Sequence, residues 1–327
     1  MPDQDAVVLA EVVRGGFVES RHRGHLVVLD RGGAVRQALG DVAQPMLPRS
    51  ALKPLQAAGM VRAGLRSRGR HLALACASHS GEPVHARLAA DLLARHGLSP
   101  DDLRGTPDLP LEAVTREAHL RAGKAADRLH ANCSGKHAAM LATCVVNGWS
   151  REDYLDPGHP LHKHLRHTVE ELAGEGLGGE TVDGCGAPAM AVSLTGLARG
   201  FAALATAAPG SAEGDVARAM REQPWMVGGR GREVSRLIDG VPGLIAKDAA
   251  EGVAAAALPD GRAVAVKIED GDPQWRGVFR ALVAGLRLAG ADAAVLDDLA
   301  TLPVLGHGRT VGEVRPAASL TQSLTRG

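Results

Sequence analysis

Apolar positions in the first 45 residues come in short runs. Residues 7–13, 25–30 and 34–39 are rich in Val and Leu, and Gly15-Gly16 and Arg31-Gly32-Gly33 interrupt them. Runs of that length between turn residues predict strands. Past Arg49 the period changes. Leu55, Ala58, Met60 and Val61 recur at helical spacing, which predicts a helix beginning near Ser50. Pro54 then falls in its first turn, where a missing N–H costs little. From His71 to about Gly240 the pattern is mostly helical, clearest over 84–96, 134–147, 160–173, 188–208 and 213–221. Strands return at 244–248 and 253–258, and Pro259-Asp260-Gly261 turns the chain into 262–269, a hairpin. An Ala/Leu/Val helix over 274–288 and a last strand over 310–315 complete the pattern.

Strands at both ends around a helical middle predict a mixed α/β (α+β) fold. In this reading an antiparallel sheet is flanked by helices, with a helical lobe added. Residues 1–327 form one catalytic unit, its sheet lobe drawn from 1–49 plus 240–327 and its helical lobe from 50–239.

Charge narrows the function classes. The 37 basic residues balance 37 acidic ones, so no field favours nucleic acid or an anionic membrane. With three Phe, three Trp and one Tyr, stacking platforms for bases are not expected either. No apolar run approaches the roughly 20 residues of a membrane span. Asp3 and Asp5 stand where a secretory signal would be basic, so a cytoplasmic protein with reduced thiols at Cys76, Cys133, Cys144 and Cys185 is expected. Cys76 and Cys144 lie in apolar runs and read as core.

The basic residues are unevenly chosen. Six are lysines, at 53, 124, 136, 163, 247 and 267, and the rest are arginines. Lysine loses its proton when buried and arginine does not, so each lysine near a nucleophile has a chemical reading. Ser50-Ala51-Leu52-Lys53 is the first such place. On a helix, positions i and i+3 share a face, and a neutral amine can take the proton of a serine hydroxyl. The spacing alone is weak evidence, because chance supplies it often. Two further elements follow in the order that penicillin-recognising enzymes use. Ser78-His79-Ser80 ends the apolar run 73–77, and Lys267 lies on the strand 262–269.

At this point the chain resembles the asparaginase II family, the Rhizobium etli type of serine-dependent L-asparaginase. Six collinear blocks carry the resemblance: Val18 to Gly24, Arg49 to Gln56, Ala75 to Pro83, Asn132 to His137, Asp183 to Pro188 and Lys247 to Gly252. The resemblance implies a fold like that of serine β-lactamases and penicillin-binding proteins. It also implies hydrolysis of L-asparagine to L-aspartate and ammonia, and a homodimer. Ser50 would pair with Lys53 and Ser78 with Lys267, with Ser50 the chosen nucleophile and Ser78 the alternative. Ser78 is preferred to Ser80 as the second serine because it opens its triplet. His22, Arg23, Arg49, Ser80 and Asp183 are the candidates for gripping substrate. Lys267-Ile268-Glu269 departs from the Lys-Thr-Gly of β-lactamases, which disfavours β-lactams. A serine esterase or peptidase, or a non-catalytic amino-acid sensor, are the alternative functions.

Spacing leaves a metal site open. Cys133 with Lys136, and Cys185 two residues after Asp183, offer sulfur and nitrogen donors, but two small buried cysteines in Gly-rich turns would look the same. The family resemblance implies zinc at Cys133, Lys136 and Cys185, one per chain, orienting substrate rather than activating water. His159, His162, His164 and His167 read as a solvated helix face.

Overall fold

The computed structural model describes residues 5–318 and residue 320. The chain forms two compact units. The first comprises Met1–Ala51, Val192–Thr206 and Arg236–Gly327, and the second Leu52–Ala191 and Ala207–Ser235.

The first unit opens with strands β1 (Val7–Arg14), β2 (Phe17–Leu29), β3 (Val35–Leu39) and the short β4 (Pro45–Met46). The second then supplies helices α1 (Lys53–Arg62), α2 (Gly69–Ala75), α3 (Pro83–Ala94), α4 (Ala113–Arg121), α5 (Ser134–Asn147) and α6 (Pro160–Ala173), with strand β5 (Gly179–Val182). Strand β6 (Pro188–Ser193) leads back to α7 (Leu194–Thr206) of the first unit. Helices α8 (Ala212–Glu222) and α9 (Pro224–Val227) belong to the second, and α10 (Glu233–Gly240) closes the excursion. The first unit ends with β7 (Ile245–Ala249), β8 (Val253–Ala257), β9 (Ala263–Ile268), α11 (Arg276–Leu288), α12 (Ala294–Ala300), β10 (Leu302–Gly306) and β11 (Arg309–Pro316).

In the first unit the strand order is β10-β11-β1-β2-β9-β8-β7, antiparallel throughout, with β3 on the far half of β2. The terminal segments therefore meet at the sheet centre, as β2 pairs with β9 from Gly24↔Ile268 to Leu29↔Ala263. Small side chains set the thickness. β8 is Val-Ala-Ala-Ala-Ala, fully buried, and both α7 and α11 pack on the β2, β8 and β9 region. A Cβ at Gly285 of α11 would lie 2.5 Å from Val264 Cγ1, so only glycine lets the helix approach that closely. In the second unit α1 packs on α6 and α8, and α5 on α2 and α3, around Leu74, Ala77 and Ala89.

Helices α5 and α6 fall on the predicted residues, and the 259–261 turn makes the predicted hairpin. The helix expected over 188–208 is a strand followed by a helix. All six positions of β6 are buried, so no alternation announces a strand, while the Ser193 hydroxyl accepts the Gly196 N–H and starts α7. Strands β5 and β10 were not predicted. The helix expected near Ser50 begins as a 3-10 turn, Arg49–Leu52, and becomes α-helical at Lys53. The histidines of α6 are not a solvated face. His162 is fully buried and bonded to the Tyr154 carbonyl at 2.8 Å, His159 caps the helix by accepting the Leu161 N–H, and His164 reaches the Gly59 carbonyl. Only His167 of the four is exposed.

Candidate active site

Lys53 is the first residue of α1, with Pro54 in the first turn, and its side chain is buried. Its amine donates to the Ala77 carbonyl at 2.7 Å and to Ser78 Oγ at 3.1 Å. Ser78 follows the end of α2 and is held on every side. Its N–H donates to the Val227 carbonyl, its own carbonyl accepts from Arg232 at 2.9 Å, and the next N–H, of His79, goes to the Asn132 carbonyl. A hydroxyl fixed this way meets the amine without a conformational search.

Ser50 lies in the 3-10 turn just before Lys53. The residue ahead of it, Arg49, holds a left-handed φ of 51°. A non-glycine residue in that region costs of order 1 kcal/mol or more, and such outliers gather at functional sites. Ser80 has a different employment. It is fully buried and its hydroxyl donates to the Gly228 carbonyl at 3.0 Å.

His79 joins this loop to α5. Its Nδ1 accepts the Gly81 N–H at 3.1 Å, so Nε2 carries the proton and donates to Ser134 Oγ at 2.9 Å. The ring stacks on His85 with centroids 4.9 Å apart. Burial holds it well below the usual histidine range, so it stays neutral.

The first turn of α5 carries a second cluster. Cys133, His137 and Cys185 each place a donor atom within 4.8 Å of the other two, and the Lys136 amine is 3.3 Å from Cys185 Sγ. The Cys133–Cys185 hydrogen bond, with the Lys136 charge, lowers the pKa of Cys185; the same bond, and burial, push that of Cys133 up. Burial alone would lower Lys136, but the two sulfurs more than offset it. His137 Nδ1 is 2.8 Å from Tyr154 Oη, and Cys185 is the nearby sulfur that raises the ring's pKa against burial. Two sulfurs, an amine and an imidazole nitrogen fit a zinc ion, and the Tyr154 contact would hold the proton on Nδ1. The sequence reading missed His137, although its position one helical turn after Cys133 was a usable signal. Asp183 lies in the turn before Cys185, its Oδ1 accepting the Gly184 N–H, and its charge acts on Lys136.

These features sit on a chain whose family can now be stated. The family model described as L-asparaginase II matches residues 10–316. The chain belongs to the L-asparaginase II family. Membership supports an asparaginase-type amidohydrolase activity on a small amide. No curated protein matches the sequence. Among solved structures, Mglu in its native form is similar at 17% identity and a TM-score of 0.45, covering 87% of this chain and 68% of that one. A beta-lactamase from Mycobacterium bovis is similar at 15% identity and a TM-score of 0.44, covering 84% and 94%.

The remaining sequence candidates of this family member lie in the first unit. Lys267, on β9, donates to the Glu251 and Ile268 carbonyls at 2.8 and 2.7 Å. Burial lowers its pKa, against the raising effect of Glu269 and Glu251. With His25, Glu269 and Asp41 it lines a small cavity of about 50 Å³. His22 is buried, its Nδ1 2.7 Å from Asp270 Oδ2, and its Nε2 has no hydrogen-bond partner among the described residues. Arg23 is exposed, but its guanidinium donates twice to the Ala6 carbonyl, which ties it to the strand ahead of it.

Proposed function

We propose that the protein hydrolyses L-asparagine to L-aspartate and ammonia through an acyl-serine intermediate. The observation that carries this reading is the buried contact between Lys53 and Ser78, in a chain of this family. A neutral amine has two N–H groups and one lone pair. The Lys53 amine contacts the Ala77 carbonyl and the Ser78 hydroxyl, and in its neutral form it is the base. Ser50, three residues earlier, is the nucleophile. Its hydroxyl gives its proton to Lys53 as Oγ adds to the side-chain amide carbon of asparagine. The C–N bond then breaks, and the proton passes through the Ser78 hydroxyl to the departing nitrogen, which leaves as ammonia. Water adds to the β-aspartyl ester by the same route in reverse, releasing aspartate and restoring the Ser50 hydroxyl.

Lys267 is the second lysine of the family pattern, and burial inclines it toward the neutral form. Cys133, Lys136 and Cys185, with His137 as a further donor, would hold a zinc ion, whose chemistry there would be that of a Lewis acid toward the substrate's polar groups. A cytoplasmic homodimer belongs to the same proposal. The test is ammonia release from L-asparagine, with L-glutamine and a chromogenic ester in parallel, on protein supplied with zinc. Asparagine turnover well above ester turnover supports the proposal. Ester turnover alone moves the function to a general serine hydrolase.

A further inference from the structure

A second cluster of potential ligands lies in the helical unit, made of residues other than those of the sulfur cluster and unused by the mechanism above. His119 is the buried residue of α4, a helix whose Val114 and Leu120 are exposed. Asp127 and His130 sit in the turn that leads to Cys133. We infer that His119, Asp127 and His130 form a second site for a divalent transition-metal ion, one that pins α4 to this turn.

The scaffold is already built. The Asp127 backbone exchanges both hydrogen bonds with Asp108, and its Oδ1 accepts the N–H groups of Leu129 and His130. That fixes the carboxylate and turns Oδ2 toward the two rings, 2.7 Å from His130 Nδ1 and 4.0 Å from His119 Nε2. The rings meet edge to face, their centroids 4.6 Å apart. One donor atom from each of the three residues lies within 4.8 Å of the other two. Ligands about 2.1 Å from a zinc-sized ion stand about 3.4 Å from each other, so small ring rotations close the site.

The donor chemistry is balanced. His119 Nε2 now donates to the Ala125 carbonyl at 2.8 Å, and His130 Nδ1 is bonded to Asp127. When those nitrogens bind a cation, each ring moves its one proton to its other nitrogen and stays neutral, while Asp127 brings a single negative charge. Two imidazoles and a carboxylate leave coordination positions open, the set that suits zinc, iron, cobalt or nickel. A cavity of about 320 Å³ beside the cluster, lined in part by His119, His130, Lys124 and Ala118, has room for water or a small exogenous ligand in those positions.

The test uses the full chain stripped with chelator, then dialysed against Co²⁺ or Zn²⁺, with metal counted by mass spectrometry and Co²⁺ spectra recorded. Thiolate ligation gives intense charge-transfer absorption, whereas His/carboxylate ligation gives only weak d–d bands, so the two clusters are told apart in one sample. The Cys133→Ser/Cys185→Ser variant should keep one equivalent and lose the charge-transfer band. The His119→Gln/His130→Gln variant should lose one equivalent and leave any charge-transfer band intact. Asp127→Asn, which keeps the turn's acceptor, should weaken the same equivalent at least tenfold. If the His119→Gln/His130→Gln variant binds as much metal as the wild type, with an unchanged spectrum, the inference is wrong. Wild-type protein that binds only a thiolate-ligated equivalent overturns it too.

Discussion

Two fully or nearly fully buried lysines, one in each unit, show what a neighbour does to the same side chain. Lys247, on β7, has the carboxylate of Asp248 at 2.8 Å and also donates to the Asp248 carbonyl. The hydrogen bonds described for Lys53 go to two neutral oxygens, of Ala77 and Ser78. A carboxylate favours the ammonium form and makes a structural ion pair. A lysine beside a serine hydroxyl is placed instead to take that hydroxyl's proton when it is neutral. Lys136 is a third case, with sulfur for a partner. The lysine count in the sequence pointed to all three, but the neighbours decided the chemistry.

The sharpest way to break this contrast is to remove each amine in turn. Lys53→Met should lower ammonia release from asparagine by roughly 10²–10⁴-fold with little change in folding, as loss of a general base does. Lys247→Met should do the opposite. It removes the Lys247 partner of a buried carboxylate and should cost about 3–5 kcal/mol in urea unfolding, while Lys247→Met/Asp248→Leu should recover most of that. Comparable stability losses for Lys53→Met and Lys247→Met would erase the distinction.

A buried histidine gives the pH counterpart. Burial lowers His162 to about 4 from an ordinary 6.5. The unfolded chain therefore binds this proton first. The contribution is complete above about pH 6.5 and is lost as the pH falls toward 4, roughly 3 kcal/mol in all. Unfolding free energies measured at pH 7 and pH 4 should differ by less in His162→Gln than in the wild type. At the sulfur cluster, Tyr154→Phe removes the oxygen beside His137 Nδ1 and should weaken zinc about 10–100-fold in a chelator competition. The smallest effect belongs to Ser80→Ala. Its hydroxyl is spent on the Gly228 carbonyl, so the loss should be about 1 kcal/mol of stability, with KM for asparagine unchanged. A KM raised tenfold would return Ser80 to the substrate.

What the sequence disclosed follows from range. Helices such as α5 and α6 were legible because Pro160 and Gly148 punctuate them and their apolar spacing is regular. Strand β6 was not, because a strand buried on both faces shows no alternation and Ala189 and Ala191 suit either state. In the site, the Ser50-to-Lys53 spacing is local and could be read directly. The Lys53–Ser78 bond joins residues 25 apart through the end of α2, and no local pattern encodes it. His137 escaped because the sulfur-and-lysine pattern drew attention first, and its role depends on Cys185, 48 positions later.

The central claim is that an acyl-serine amidohydrolase works from Ser50 with Lys53 as base. It is tested most directly by ammonia release from L-asparagine in wild type and Ser50→Ala, both supplied with zinc and both shown to be folded. The account predicts release by the wild type and its loss in the variant. Release that survives in Ser50→Ala, or a folded wild type that releases none, would contradict it.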